Sequence, residues 1–368
     1  MNVAALVPYP LDRSPSQRFR LEQWAKPLRA RGIELTFIPF LSEDAWRFLY
    51  KPGRHADKAA EILRGCLARA RFALSDVADF DAVVIHREAI LLGVDWIERM
   101  IVRRVPTVFD FDDAVWLPNV SPANRKLSFL KGFDKVNRIL GLVSSVSAGC
   151  EFLAEHARKF NDRVFIAPTS IDLDQYSEPR VHRKTDVLTV GWTGSVTSAE
   201  FLPECTPGLQ LAAKHVPMRV VLLGTTGYEI PGVEVECIPW TPERETPVIS
   251  TFDIGIKPSF RESWFRGKCP MKDIQYMALG VPPVATRFGT ALESIKHGET
   301  GFLCDTPEDW LRSIRALTDV DLRARMGSAA RAVVEKRYSS AVAADAFARA
   351  IDSARTQFAS GPARRSYF

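Results

Sequence analysis

The sequence predicts an α/β protein built from two parallel sheets, each covered by helices. Short apolar runs of strand length alternate with segments of helical spacing along most of the 368 residues, the pattern of parallel strands joined by helical crossovers. A polar stretch at 172–186, containing Ser177-Glu178-Pro179-Arg180 and His182-Arg183-Lys184, breaks that rhythm, which then starts again. The length is that of two domains at roughly 100–200 residues each.

The elements follow in order. Residues 3–7 are a short apolar strand. Residues 18–31 have helical spacing through Leu21, Trp24, Ala25 and Leu28, and Gly32 ends the helix. A strand at 34–40 is followed by an amphipathic helix at 57–72. The strand 82–85 ends in His86-Arg87-Glu88. A helix covers 93–102, and the strand 107–110 runs into the acidic cluster Asp110, Asp112 and Asp113. A strand at 143–145, a helix at 148–158 and a strand at 164–168 complete the first series. The second series opens with the strand 187–192, which runs into Thr193-Gly194-Ser195. A helix covers 199–215, and strands lie at 218–224, 233–238 and 253–257. Residues 281–285 form an apolar strand that contains Pro282 and Pro283, and 301–304 is the last strand. Helices cover 307–318, 321–337 and 341–358. The last is long enough to cross back onto the first domain, and the tail 361–368 reads as frayed. The expected domains are therefore 1–171 and 187–338, with 172–186 as linker and 339–368 returning to the first domain.

Composition narrows the function classes. Apolar residues make up 46% and charged residues 25%, with a net charge of +5, an ordinary balance for a globular protein. The positive charges are scattered without an aromatic-interleaved basic stripe, so nucleic acid is not an expected partner. Anionic substrates fit, and so does a weak peripheral contact with a membrane surface, although no amphipathic helix reads as strongly basic. No apolar run reaches the roughly 18 residues of a membrane span. The opening MNVAALVPYP reads as a buried strand, being too short and lacking the basic flank of a signal peptide. The six cysteines are far apart, without CxxC or Cys/His spacing. Free thiols in a reducing, cytoplasmic setting are expected, and a structural zinc is not.

The most informative stretch is 267–289, GKCPMKDIQYMALGVPPVATRFG. A Gly/Lys/Pro loop enters a short apolar helix through Ile274, Met277 and Ala278, Gly280 stops it, and the apolar strand follows. Backbone N–H groups and the dipole at a helix start favour a phosphate, and Lys268 and Lys272 bring two positive charges to that place. This is where the diphosphate of a nucleotide-linked substrate is expected. Thr193-Gly194-Ser195 follows a strand, and a glycine there permits close backbone approach to a ligand. His86, Arg87 and Glu88 lie at a strand end, where such sheets place ligand contacts. Arg18 and Arg20, after Pro15-Ser16-Gln17, open the first helix beside the same sheet end.

These residues resemble the GT-B glycosyltransferases, most closely the retaining family 4 type (glycosyl transferases group 1). The resemblance rests on Val190-Gly191-Trp192-Thr193-Gly194-Ser195, on 267–286 and on the run GTALESIKHGETGF, with further likeness in PSQRFRLEQWAKPLRARG and VFDFDDAVW. It implies two Rossmann-like domains facing across a cleft and transfer of a sugar from a nucleotide diphosphate sugar, with the donor in the C-terminal domain. The acceptor, a saccharide, glycolipid or small-molecule hydroxyl, is implied in the N-terminal domain. No cofactor or metal is implied. The family often carries two glutamates eight positions apart. Here the second, which holds the nucleotide ribose, is Gln275, able to bond a hydroxyl as donor or acceptor, and the first falls on Gly267.

The expected donor residues are Thr193, Gly194, Ser195, Arg266, Gly267, Lys268, Met271, Lys272 and Gln275. Arg18, Arg20, His86, Arg87, Asp112 and Asp113 are the expected acceptor residues. Lys272, Lys268 and His86 are the expected catalytic groups, Lys272 by neutralising the leaving nucleotide diphosphate. Asp110, Asp112 and Asp113 also invite a metal-binding reading, against an acceptor-side or structural one. Two other functions fit the same sequence. A nucleotide-sugar epimerase of this fold would convert donor without acceptor. A non-catalytic nucleotide-sugar-binding protein would explain the missing first glutamate but not the lysine at the leaving group.

Overall fold

The computed structural model describes residues 1–49, 53–117 and 132–360. They form two compact units. The first is Met1–Thr169 together with the segment from Ser340 onward, and the second is Ser170–Ser339.

The first unit is built on a six-stranded sheet. Its strands are β1 (Asn2–Val7), β2 (Glu34–Pro39), β3 (Ala82–His86), β4 (Thr107–Phe111), β5 (Ser145–Ala148) and β6 (Val164–Ile166), in the order β2-β1-β3-β4-β5-β6. Every pairing is parallel. Strands β3 and β4 are buried along their whole length, as expected when helices cover both faces of a parallel sheet. The helix Ser340–Ser360 belongs to this core: the rings of Phe347 and Trp24 lie 5.0 Å apart, and Ser145 Oγ donates to the Ala350 carbonyl at 2.7 Å.

Three local expectations are corrected here. The single helix over 18–31 is instead a turn at Pro15–Gln17, a π-helical turn at Arg18–Glu22 and an α-helix at Gln23–Arg29. The wider π turn takes up an extra residue, and Arg20 turns inward together with Leu21 and Trp24. The strand at 143–145 lies instead at Ser145–Ala148. Its polar Ser145 and Ser147 conceal it from a hydrophobicity reading, yet both side chains are hydrogen-bonded inside the core. The helices Glu43–Leu49 and Lys135–Leu142 are additions to the sequence reading.

The second unit holds β7 (Leu188–Thr193), β8 (Met218–Leu223), β9 (Glu234–Ile238), β10 (Ile254–Lys257), β11 (Pro283–Thr286) and β12 (Phe302–Cys304), ordered β12-β11-β10-β7-β8-β9 and again all parallel. Pro283 is tolerated because it is the first residue of its strand. The helix expected over 199–215 is a 3-10 stretch, Val196–Glu204, followed by the α-helix Thr206–Ala213. Pro203 and Pro207 each remove an N–H donor that one continuous helix would use. The polar stretch 172–186 is not a free linker. Tyr176 is buried, Arg180 pairs with Asp253 at 2.8 Å, and His182 Nε2 meets the Gly280 carbonyl at 2.8 Å. The tail 361–368 lies outside the described residues. Among those described, no helix is long and apolar enough to cross a membrane.

Candidate functional site

In the second unit, Tyr276 ties the helix Met271–Ala278 to the sheet. Tyr276 lies over β10, where a Cβ on Gly255 would come within 2.4 Å of its ring. Its hydroxyl accepts from the Thr193 N–H at 3.0 Å and donates to the Ile256 carbonyl at 3.2 Å. The carboxyl end of β7 is thereby tied to the helix whose N-terminus carries Lys272. At that strand end the chain is crowded. A Cβ on Gly194 would lie 2.5 Å from the Trp192 ring, and one on Gly224, at φ +103°, would lie 1.7 Å from the Gly194 carbonyl oxygen. Ser195 begins the next element, its N–H donating to Ser198 Oγ at 2.9 Å. Thr193, Gly194 and Lys272 are thus brought together, with Lys272 Nζ 5.6 Å from the Trp192 ring centre.

Lys272 has no carboxylate partner among the described residues. Burial, followed by repulsion from Lys268 and Lys257, pulls its ammonium down to about 7 from the ordinary lysine value. Cys269 and Asp273 act in the opposite direction without restoring it. Lys257, the last residue of β10, pairs with Asp273 at 3.1 Å, and the same carboxylate oxygen accepts from Ser294 Oγ at 3.1 Å. The other oxygen of Asp273 is buried without a partner. Three lysines therefore surround one helix N-terminus against one nearby carboxylate, an arrangement suited to an incoming anion.

The other expected donor residues divide. Gly267 is buried and Arg266 exposed on the entering loop, and Met271 begins the helix half-buried. Lys268 does not stand free as a second phosphate cation. Its ammonium lies 4.5 Å from the Phe201 ring centre, 5.6 Å from Phe265 and 5.8 Å from Trp264, a cation–π seat, and its carbonyl accepts from Thr290 Oγ at 2.6 Å. It acts on Lys272 through charge. Gln275 is also revised: it is buried, and its Nε2 donates to the Tyr176 hydroxyl at 3.0 Å, which donates in turn to Glu245 at 3.1 Å. That engagement takes one of the two N–H donors of Gln275 and leaves the other, with its carbonyl oxygen, for a ribose hydroxyl.

In the first unit, parallel register sets His86, Asp110 and Ser147 side by side across β3, β4 and β5. Arg20, from the π turn, meets Asp110 with two nitrogens at 3.0 and 2.5 Å and donates to the Ala167 carbonyl at 2.8 Å. His86 Nδ1 meets Asp110 Oδ2 at 2.8 Å, and its Nε2 lies 3.2 Å from Ser16 Oγ. Ser16 donates to Asp112 at 2.7 Å, so its hydroxyl links a carboxylate to the imidazole, the direction of the second contact being set by the His86 tautomer. Burial opposes the Asp110 carboxylate, but Arg20 and His86 outweigh it and hold the carboxyl well below the usual range. Asp112 is lowered in the same way, burial being outweighed chiefly by Arg87.

This network corrects three of the expected acceptor contacts. Arg20, His86 and Asp112 are no more than 1% exposed, and all are committed to one another and their neighbours. As they stand, none of the three presents its polar atoms to solvent. The exposed end of the network is Arg87, which pairs with Asp113 and lies 3.7 Å from Asp112. Arg87 sits at φ +65°, and its N–H donates to the Asp110 carbonyl at 2.7 Å. A left-handed non-glycine residue at a strand's carboxyl end is the kind of strain that functional sites retain. Arg18 is half-buried over the Phe19 ring, with its Nε unpaired. The metal reading of the acidic cluster loses Asp110 and Asp112 to cationic and hydroxyl partners, and no metal-ligating group of His, Cys, Asp or Glu is found among the described residues.

Sequence reasoning missed Lys257, Asp273, Ser16 and Gln17. Lys257 had a signal, since it ends a strand where such sheets bind ligands. Gln17 had none. Its carboxamide donates to the Tyr9 carbonyl at 3.1 Å and to Glu22 at 2.7 Å, shaping the loop after β1.

With this geometry in hand, known proteins were compared. Residues 184–319 match the family model described as glycosyl transferases group 1. Over 70 residues the chain is 40% identical to the N-acetyl-alpha-D-glucosaminyl L-malate synthase of Bacillus anthracis, a match covering 18% of each protein. The alignment thus spans less than a fifth of that relative. Sucrose-phosphate synthase of Thermosynechococcus elongatus superposes with a TM-score of 0.70 at 13% identity, over 98% of this chain and 100% of that one. HepE of Anabaena, solved in complex with UDP-glucose, gives 0.63 at 14% identity, over 96% and 100%. At these identities the structural likeness is one of fold. The fold is that of the GT-B glycosyltransferases, and the matched residues 184–319 of the second unit are similar to the group 1 glycosyl transferase model.

Proposed function

We propose that the protein transfers a sugar from a nucleotide diphosphate sugar to a hydroxyl of a saccharide, glycolipid or small-molecule acceptor, with retention and without a divalent metal. One observation carries the reading: Lys272, at the N-terminus of the helix Met271–Ala278, lacks a carboxylate partner among the described residues, is buried, and is repelled by Lys268 and Lys257. The group 1 match of this segment supports it, and the complex of HepE with UDP-glucose favours a UDP-sugar as donor.

On this reading the diphosphate lies across the helix N-terminus, where backbone N–H groups and the helix dipole favour negative charge. Its approach raises the proton affinity of Lys272, which takes up a proton. As the glycosidic bond breaks, charge gathers on the departing phosphate oxygen and meets this ammonium, a preorganised electrostatic contribution of the kind that dominates many reactions. Lys257, held by Asp273, adds positive charge nearby. The acceptor is assigned to the first unit at Arg87, Asp113 and Arg18, with the buried chain Arg20–Asp110–His86–Ser16 fixing Arg87 and its neighbours.

The test is incubation with UDP-, GDP-, dTDP- and ADP-sugars in EDTA, with detection of released nucleoside diphosphate and of the sugar product. Acceptor-dependent release from one donor, insensitive to EDTA, is expected. No release from any donor, with or without manganese, would contradict transfer. An isomerised sugar formed without acceptor would establish the epimerase instead.

A further inference from the structure

The helix His55–Leu74 is held to the first unit on one side by Arg69, whose buried guanidinium donates to the carbonyls of Val7, Ile38 and Ala89 at 3.0, 2.7 and 2.9 Å. Its other side carries Leu63, Leu67 and Leu74, exposed at 61%, 63% and 58%. At 100° per residue these leucines, with Ala56 and Ala60, fall within an arc of about 60° along a helix about 30 Å long. Single exposed leucines are ordinary, but an aligned row of them marks an interaction surface.

Of the arginines beside the row, Arg64 is held by Glu61, whereas Arg71 has no such partner among the described residues. Arg64 and Arg71 border the arc along one edge. The acids of the helix, Asp57 and Glu61, lie off the arc and are paired with Arg54 and Arg64. The helix Trp96–Val102 packs alongside, joined where Arg104 donates to the Ala73 carbonyl at 3.0 Å, and Trp96 and Arg103 are exposed there. Arg71 and Arg103 have no acidic partner among the described residues. Leucines for the acyl boundary, a tryptophan of the kind enriched at membrane interfaces and arginines without countercharge are the ingredients of an interfacial helix.

We propose that the Leu63–Leu67–Leu74 face lies on a bilayer containing anionic lipid, the apolar row entering the headgroup boundary and Arg71 and Arg103 meeting lipid phosphates. The face is separate from both polar clusters described above, so the inference stands or falls independently of the proposed reaction.

The experiment is co-sedimentation of the full chain with phosphatidylcholine vesicles and with vesicles carrying one third phosphatidylglycerol. The wild-type chain is expected to sediment with the anionic vesicles and far less with the neutral ones. The double variant Leu63→Asp/Leu67→Asp, checked for an unchanged melting temperature, is expected to bind about tenfold less. Arg71→Gln/Arg103→Gln is expected to lower binding to the anionic vesicles toward the neutral level. Absence of wild-type binding to either vesicle, or undiminished binding of the Asp variant, overturns the proposal. So does a solution dimer of the wild type that the Asp variant converts to monomer, which would assign the face to self-association.

Discussion

On the proposed reading, Lys272 is the residue on which the chemistry turns. If it meets the leaving diphosphate, Lys272→Met should lower kcat/KM by at least about 100-fold, or about 2.7 kcal/mol, with the melting temperature at pH 7 unchanged or raised. The folded protein holds this proton at about 7, the unfolded chain at an ordinary lysine value. Between the two the unfolded state binds more protons, so stability rises with pH across that window. The wild type should therefore gain stability from pH 7 to 9 relative to Lys272→Met, as read from paired melting curves. A nucleoside diphosphate should reverse the effect by restoring the proton, and its binding should weaken as pH climbs from 7 to 9. Arg20 behaves differently. Arg20→Met leaves Asp110 buried beside His86 without its main counter-charge, and breaking one side of such a pair costs about 3–5 kcal/mol. A fall in melting temperature, checked by calorimetry, is expected before any effect on chemistry. The depressed carboxyl of Asp110 contributes stability above the ordinary carboxylate range, and that contribution is lost as pH falls towards its folded value.

At the scale of elements, the donor cluster depends on loops that only glycine permits. Gly224 combines φ +103° with a Cβ position 1.7 Å from the Gly194 carbonyl oxygen. Gly224→Ala should push the Thr193–Ser195 turn out of place, with loss of nucleotide binding and a lowered melting temperature. Normal binding by this variant would argue that the turn does not line the donor site. The same elements show what could be read beforehand. The loop, helix and strand from Gly267 to Thr286 were legible because glycines and prolines punctuate a short apolar helix there. Strand β5 was misplaced because Ser145 and Ser147 pay no tribute to hydrophobic patterning and are satisfied only by partners far along the chain. The helix Pro242–Ile249 was overlooked because it begins and is interrupted by proline. Arg20 and His86 could be named as polar groups beside a strand end. Their burial could not, because it depends on the register that aligns His86 with Asp110.

At the scale of the whole molecule, the chain leaves the first unit after Thr169 and returns at Ser340. The returning helix supplies Ala343, Phe347, Ile351 and Ala354, all fully buried. Phe347→Ala should therefore destabilise the first unit by about 3–5 kcal/mol, visible as an early transition in a denaturation curve, although the residue is remote in sequence from Lys272. The central claim remains that Lys272 and its helix N-terminus receive a nucleoside diphosphate, and one thermal-shift comparison tests it most directly. Wild type and Lys272→Ala would be melted with UDP, GDP, dTDP and ADP in the presence of EDTA. A ligand at about 100 times its Kd adds about 2.7 kcal/mol to stability. The account predicts a clear rise for wild type with at least one nucleotide, UDP first, and little or none for Lys272→Ala. A flat wild-type panel, or an equal shift in the variant, would contradict it.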